Sequence, residues 1–314
     1  MVDCVLNLHR GGRIKELEVD MFGHDGGNFE RWFEFAMTKK VERIHIVMHY
    51  DSPFVRLPYT ITSHGLECLK DLYLSHIQMT DQDFELLVSN CVALERLTLR
   101  LSFKLEHVSI VGLSKLKHLN LFYLLGARSL VIRDAINLVS LTIHELGRGC
   151  TVQLCNTPNL TKLDFKERFD RLSHVDLLDG MPSCIRNQLR SLRLSTRVYS
   201  FDQVMHHAVL SVKLVNIKQL ELMVDIRDDH RDIAYSQYVC RLVEACSSLK
   251  KLVIKFPQRP TGYLGSLSEQ DLALYVIREA RAPEKLVVVP CDGEALARAH
   301  SDIEHITSVS FLVL

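Results

Sequence analysis

Histidine and cysteine pairs are the first residues to examine for chemistry, because imidazoles and thiolates bind metals and thiolates act as nucleophiles. His45 and His49 are four residues apart. On a strand this spacing puts their side chains about 13 Å apart on one face, too far to share a zinc ion. Two cysteine pairs also lack a second pair at metal-ligand spacing, namely Cys150 with Cys155 and Cys240 with Cys246. The sequence therefore predicts no metal site.

Motifs for catalysis are also missing. The glycine-rich segment from Gly23 to Gly27 does not have the glycine and lysine spacing of a phosphate-binding loop. Neither the G-x-S-x-G nucleophile motif nor the H-E-x-x-H zinc motif occurs. We therefore expect a protein that is not an enzyme and needs no cofactor, although a fold by itself never excludes activity.

Charge and hydrophobicity narrow the class of protein further. The 314 residues include 38 Lys and Arg and 38 Asp and Glu, so no global field attracts nucleic acid or anionic membranes. No apolar run approaches the roughly 20 residues that span a bilayer, and the first residues do not resemble a signal peptide. Nine scattered cysteines fit a reducing compartment. These features predict a soluble protein of the cytoplasm or the nucleus.

A repeated leucine spacing predicts the strands that would position any functional side chain. From Leu94 to Phe165 an L-x-x-L-x-L frame returns every 11 residues, as at Leu94, Leu105 and Leu116. Such recurrence is typical of a solenoid, whose units bury their apolar faces by stacking. Because 11 residues leave no room for a helix, we expect two short strands per 22-residue coil, on opposite faces. The alternative is that the segments near Val108, Leu130 and Val152 are extended but unpaired.

Outside this block the frames lie further apart and leave room for helices. Apolar spacing predicts a helix from residue 29 with Asn28 as its N-cap, a helix capped by Thr80 and Asp83, and another over residues 235–246. The fold class is then an α/β leucine-rich-repeat solenoid, with a curved parallel sheet on the concave face and helices and short strands on the convex face. We expect one solenoid over 1–314, divided into 1–93, 94–165, 166–260 and a terminal FBD-like or capping segment, 261–314.

Several segments resemble the region that follows the F-box in plant F-box/LRR proteins. They are residues 14–19 (IKELEV), 31–36 (RWFEFA), 155–163 (CNTPNLTKL) and 242–252 (LVEACSSLKKL). In that family the F-box docks the Skp adaptor of an SCF-type ubiquitin ligase, and the repeats hold the protein to be ubiquitinated. We expect no F-box ahead of Ile14, so the resemblance implies a Skp adaptor as partner only if an F-box is supplied outside this chain.

The alternation of side chains along each strand predicts which residues face the concave surface. That surface is expected to be acidic at its start and basic through its middle. Our hypothesis is that the middle binds an acidic protein segment, with Tyr73 and Phe122 as aromatic anchors, because aromatics and arginine dominate binding hot spots. Exposed strand positions that are simply polar are the alternative. The candidate partner-binding residues are Tyr73, Arg96, Arg100, His118, Asn120, Phe122, His144, Lys162, Lys166 and Arg193.

The most specific reading of these patterns is a protein-protein interaction module that recognises ubiquitination substrates for an SCF-type ligase. Two alternatives remain open at this point. One is an interaction scaffold with no ligase role. The other is a receptor for a small anion, held by the basic middle of the concave face.

Overall fold

The computed structural model of the protein describes residues 11–12, 14–21, 29–49, 65–166, 174–198, 213–226, 239, 241–255, 285–289 and 310–313. The chain divides into two compact units, Met1–Leu160 and Thr161–Leu314. The glycine-rich loop, the cap at Asn28 and residues 235–238 of the third expected helix lie outside the described residues, and residues 241–245 are helical as expected. No helix in these ranges is long and apolar enough to cross a membrane.

Parallel strands dominate the described part of the first unit. In chain order they are β1 (Glu16–Met21), β2 (Arg43–Met48), β3 (Asp71–Ser75), β4 (Arg96–Arg100), β5 (His107–Val111), β6 (His118–Leu124), β7 (Ser129–Arg133), β8 (Ser140–Leu146) and β9 (Thr151–Cys155). The main sheet of this unit pairs β1, β2, β3, β4, β6 and β8 in that order. A second sheet pairs β5, β7 and β9.

The second sheet confirms that each short coil contains two strands. Val108, Leu130 and Val152 lie in register across it, as do Ile110, Ile132 and Leu154. The alternative, in which these segments are extended but unpaired, is wrong. The predicted α/β solenoid class is confirmed, whereas the organisation of residues 1–314 as one solenoid stays a prediction.

Leucine stacking and shared backbone hydrogen bonds hold the main sheet together. Leu97, Leu119 and Leu141 occupy one register position and are almost fully buried, so each coil contributes apolar area to a continuous core. At the start of β6 the carbonyl of Glu95 accepts the N–H groups of Lys117 at 2.8 Å and of His118 at 3.1 Å. This arrangement satisfies both of these donors where the chain enters β6.

Two helices pack with the first unit, α1 (Phe29–Thr38) and α2 (Asp81–Asn90). The predicted capping box is confirmed, because Thr80 accepts the Asp83 N–H and the Asp83 carboxylate accepts the Thr80 N–H. α2 also closes an edge of the second sheet. The Asp81 carboxylate accepts the N–H groups of Glu106 at 2.9 Å and of His107 at 3.0 Å. In the next coil the equivalent acceptor is a backbone carbonyl, that of Glu106.

Residues with left-handed backbone, here called the left-handed column, lie in equivalent positions of four coils. At these positions the side chains no longer alternate between the two faces of the main sheet. The sixth residue from the start of β3, β4, β6 and β8 has φ of 58°, 56°, 58° and 58° at His76, Leu101, Tyr123 and Glu145. Left-handed backbone costs a residue with a side chain about 1–2 kcal/mol. Hydrogen bonds between coils offset this, since the N–H of His76 donates to the Arg100 carbonyl and that of Leu101 to the Phe122 carbonyl, both at 2.9 Å.

The described part of the second unit repeats the same plan with longer connections. It contains β10 (Lys162–Lys166), α3 (His174–Gly180), α4 (Ser183–Gln188), β11 (Ser191–Val198), β12 (Gln219–Ile226), β13 (Lys251–Lys255), β14 (Lys285–Val289) and β15 (Ser310–Val313). Consecutive strands from β10 to β15 pair in parallel.

Candidate functional site

The main sheet of the first unit has one face covered by the core and one face, here called the open face, that carries three rows of side chains. Each row runs across β1, β2, β3, β4, β6 and β8 in register. The first row is Glu16, Arg43, Asp71, Arg96, His118 and Ser140. The middle row is Glu18, His45, Tyr73, Thr98, Asn120 and Thr142. The last row is Asp20, Val47, Ser75, Arg100, Phe122 and His144.

The first row compensates its own charge. Arg43 Nη2 lies 2.6 Å from Glu16 Oε2. Arg96 Nη1 lies 3.2 Å from Asp71 Oδ2. An acidic partner at Arg96 would therefore compete with a carboxylate that is already in place, which weakens this residue as an anion site.

Side chains of the middle row contact one another. The rings of His45 and Tyr73 are tilted by 45° with their centres 4.1 Å apart. Asn120 Nδ2 donates to Thr98 Oγ1 at 3.0 Å, and the Thr98 side chain is buried despite its outward position. Two of the predicted partner-binding residues lie in this row. The Tyr73 ring is held by the His45 ring, and the Asn120 amide donates a hydrogen bond within the sheet.

The last row combines positive charge with aromatic rings. The Phe122 ring meets the His144 ring edge to face, with centres 5.0 Å apart. The guanidinium carbon of Arg100 lies 5.8 Å from the centre of the Tyr123 ring. In the part of the chain that the structure describes, no carboxylate forms an ion pair with Arg100. Arg100 is therefore an exposed arginine whose charge remains available to a partner.

His76 follows Ser75 of this row in the chain, and the charge of Arg100 affects its pKa. Burial lowers the pKa of His76, and the charges of Arg100 and His49 lower it further. Its Nδ1 lies 3.1 Å from the Ser75 hydroxyl. The imidazole therefore favours its neutral form, so Arg100 is not accompanied by a second cation at this position.

Two partly exposed apolar side chains lie on the turns that follow β4 and β6. Phe103 is 40% exposed and Leu125 is 37% exposed, and they occupy the same position in consecutive 22-residue coils. We call this pair the apolar ridge. Sequence reasoning missed it because the L-x-x-L-x-L frame specifies only the strands, but the recurrence of large apolar residues 22 positions apart was a usable signal.

The remaining candidate residues lie on strands of the second unit. Lys162 and Lys166 are the ends of β10, and Arg193 lies on β11. Arg193 donates to Asp164 at 3.2 Å and to Glu221 at 2.9 Å. Lys255 Nζ lies 2.8 Å from Glu221. Arg193 is thus part of a charge network, whereas Lys162 is an exposed cation at the end of its strand.

Opposing influences set the pKa values within this network. Burial alone would lower the pKa of Arg193, but its hydrogen bonds and ion pairs with Glu221 and Asp164 raise it overall. Burial alone would raise the pKa of Glu221, but Lys255 and Arg193 lower it overall. Both groups therefore stay charged, and their charges compensate each other.

The structure thus places Tyr73, Arg96, Arg100, His118, Asn120, Phe122 and His144 on one open face, as predicted. Within the described ranges, no group of three His, Cys, Asp or Glu side chains is arranged to hold a metal ion. The arginine and aromatic side chains of the open face are residue types that are enriched at protein-protein interfaces.

Comparison with known proteins identifies the repeat. A family model for the LRR domain of At1g61320/AtMIF1 matches residues 60–282, well over half of the chain. The chain belongs to this family. The LRR domain is also 27% identical over 183 residues to an Arabidopsis thaliana protein named as an FBD-associated F-box protein. The match covers 54% of this chain and 40% of that relative, so the chain spans about two fifths of the relative's length.

These findings confirm the resemblance to plant F-box/LRR proteins. Together with the repeat architecture they identify the LRR domain as a protein-interaction module. Membership of this family also accounts for the many leucines at fixed spacing.

Proposed function

We propose that this LRR domain is the recognition part of a plant F-box/LRR-type ubiquitin-ligase adaptor and acts in the cytoplasm or the nucleus. Its open face would hold the protein to be ubiquitinated, with the last row of the first unit at the centre of contact. The observation that carries the proposal is the position of Arg100. This arginine is exposed, lies over the Tyr123 ring, is in register with Phe122 on the next strand, and forms no ion pair among the described residues.

Charge compensation favours the last row over the first. A partner carboxylate that meets Arg100 meets a cation that pairs with no carboxylate of the described ranges. One that meets Arg96 must displace Asp71, which lies 3.2 Å away. Aromatic rings next to an arginine are the side chains that most often dominate binding free energy at interfaces. We therefore expect an acidic segment with apolar side chains to bind at Arg100, Phe122 and Tyr73.

The ligase role depends on an F-box, which in this family connects the repeats to a Skp adaptor. The named relative is an FBD-associated F-box protein, which supports this assignment. The proposal therefore predicts two separable activities. The LRR domain binds the substrate, and a Skp adaptor joins only when an F-box is supplied outside this chain.

Affinity purification tests both activities. The tagged LRR domain is expressed in plant cells with a proteasome inhibitor, alongside an Arg100→Glu and Phe122→Ala double variant and a Lys115→Glu control. Lys115 is exposed, lies on the turn before the same strand as Phe122, and allows the same charge reversal away from the last row. We expect specific proteins to be retained by the wild type and the control and lost from the double variant.

The captured proteins then decide the ligase role. They should be ubiquitinated in a reconstituted reaction when the LRR domain is joined to an F-box and supplied with a Skp adaptor, and not by the double variant. Arg100-dependent capture without ubiquitination would identify an interaction scaffold and contradict the ligase role. Identical capture by the wild type and the double variant would contradict the proposed surface.

A further inference from the structure

We infer that the segment recognised by the last row is an α-helix that lies across β4, β6 and β8, with an acidic, an apolar and a second polar or acidic side chain on consecutive turns. This inference rests on the proposed function, because it uses the same open face. It adds the conformation and the side-chain spacing of the partner. Arg100, Phe122 and His144 lie in register on these three strands.

The spacing of these three residues follows from the sheet. Arg100, Phe122 and His144 occupy equivalent positions on neighbouring strands, so their backbones are separated by steps of about 4.8 Å. The first and third residues are therefore about 9.6 Å apart. A partner that contacts all three must present three side chains at this repeat.

A helix matches this repeat best. Successive turns of a helix place side chains on one face about 5.4 Å apart, and residues i and i+7 are about 10.5 Å apart. An extended strand places same-face side chains about 6.7 Å apart, so its first and third such side chains are about 13.4 Å apart, more than the distance between Arg100 and His144. A polyproline helix places side chains on one face about 9.3 Å apart, with no side chain between them on that face. Such a partner could contact Arg100 and His144 but would leave Phe122 without a contact.

The chemistry of the row specifies the three side chains. Arg100 is complementary to a carboxylate, and the Phe122 ring is complementary to an apolar side chain. His144 can donate a ring N–H to a carboxylate or another acceptor. A helix therefore needs a carboxylate at i, leucine or a similar residue at i+3 or i+4, and an acceptor at i+7.

The apolar ridge provides a border for such a helix. Phe103 and Leu125 lie three residues beyond Arg100 and Phe122 in the chain and are both partly exposed. The ridge stops in the next coil, where the equivalent residue is the buried Gly147. The partner helix could carry apolar side chains at both i+3 and i+4. One would contact Phe122 and the other would cover the apolar ridge, so the interface would bury more apolar area than contacts with the last row alone.

Fluorescence anisotropy with two labelled peptides tests the inference. The helical probe is lactam-stapled, with glutamate at i and i+7 and leucine at i+3 and i+4 on an alanine and glutamine background. The extended probe has the same composition with prolines that block the helix. Each probe is titrated with the wild type, Arg100→Glu, Phe103→Ser and the Lys115→Glu control.

We expect the helical probe to bind the wild type at least about tenfold more tightly than the extended probe. Arg100→Glu should weaken this binding at least about tenfold, Phe103→Ser about threefold, and Lys115→Glu less than about twofold. Tighter binding of the extended probe, with dependence on Arg100, would overturn the helix and leave the proposed surface standing. Binding that does not depend on Arg100, or no binding of either probe, would overturn the inference, while the purification experiment judges the proposed function separately.

Discussion

The guanidinium of Arg100 lies over the ring of Tyr123, with 5.8 Å between its carbon and the ring centre. Tyr123 can take this position because its backbone is left-handed, with φ of 58°, immediately after Phe122 in the last row. The aromatic contact holds an arginine whose charge no carboxylate of the described residues compensates. Four residues earlier on the same strand, Arg96 has the opposite environment beside Asp71.

Removing the charge of Arg100 should raise the pKa of His76. Burial lowers this pKa first, and the charge of Arg100 lowers it next, so Arg100→Gln removes one of the causes. Titration of the imidazole by NMR would measure the change, with Arg96→Gln as a control on the same strand. An unchanged His76 pKa in Arg100→Gln would contradict the charge environment described for the last row.

The lowered pKa of His76 also predicts how stability depends on pH. The fold favours the neutral imidazole, so its contribution is fully present above the ordinary pKa of 6.5 and is lost as the pH falls below that value. We expect His76→Gln to reduce the loss of unfolding free energy between pH 7.5 and pH 5.5. Urea denaturation at both pH values measures it, and an equal loss in the variant would show that His76 does not contribute.

The glycine at position 147 should not tolerate alanine. A Cβ there would overlap the carbonyl oxygen of Ala127, which is backbone and cannot rotate away. We expect Gly147→Ala to lower the unfolding free energy by about 3 kcal/mol. Gly180→Ala is the control, because an added Cβ meets no atom within 4 Å, and it should change stability by less than about 1 kcal/mol. Similar urea midpoints for the two variants would contradict this packing.

Asp81 should stabilise the edge of the second sheet. Its carboxylate accepts two backbone N–H groups, from Glu106 at 2.9 Å and His107 at 3.0 Å. Asp81→Ala leaves both donors without this acceptor and should cost about 2–3 kcal/mol, since hydrogen bonds to charged groups are the stronger ones. Hydrogen exchange should accelerate at residues 106 and 107. Gln82→Ala, at an exposed position of the same helix, should leave that exchange unchanged.

The charge network of the second unit predicts a second pH effect, in acid. Lys255 and Arg193 outweigh burial and hold the pKa of Glu221 below its ordinary value of 4.5. The stabilisation by the charged carboxylate is therefore present above that value and is lost as the pH falls through the lower, folded pKa. Glu221→Gln should cost less than about 1 kcal/mol at pH 7, because solvent screens the network, and nothing at pH 2. Glu244→Gln, an exposed carboxylate of the same unit, is the control.

Sequence reasoning predicted the parts of this molecule that depend on spacing. The 11-residue frame is sufficient to place the leucines of both sheets and the outward residues of each strand, because alternation and stacking are local rules. Aligned frames also place Asp71 beside Arg96 and Ser75 beside Arg100. The difference between the two arginines was therefore readable, although the sequence hypothesis treated them as one basic patch.

The left-handed column was not predictable in the same way. Leucine and tyrosine have no preference for positive φ, so nothing in the types of Leu101 and Tyr123 signals the break in alternation. Hydrogen bonds to the neighbouring coil impose it, and these exist only after the coils have stacked. The position of Arg100 over Tyr123 depends on this turn and could not be inferred from the frame alone.

The most direct test of the account compares the two arginines of β4. Isothermal titration calorimetry of a purified binding partner against the wild type, Arg100→Gln and Arg96→Gln measures the affinity at each position. The account predicts that Arg100→Gln weakens binding at least about tenfold and that Arg96→Gln weakens it less than about threefold, because Asp71 already compensates Arg96. Equal effects at the two positions, or a larger effect at Arg96, would contradict it.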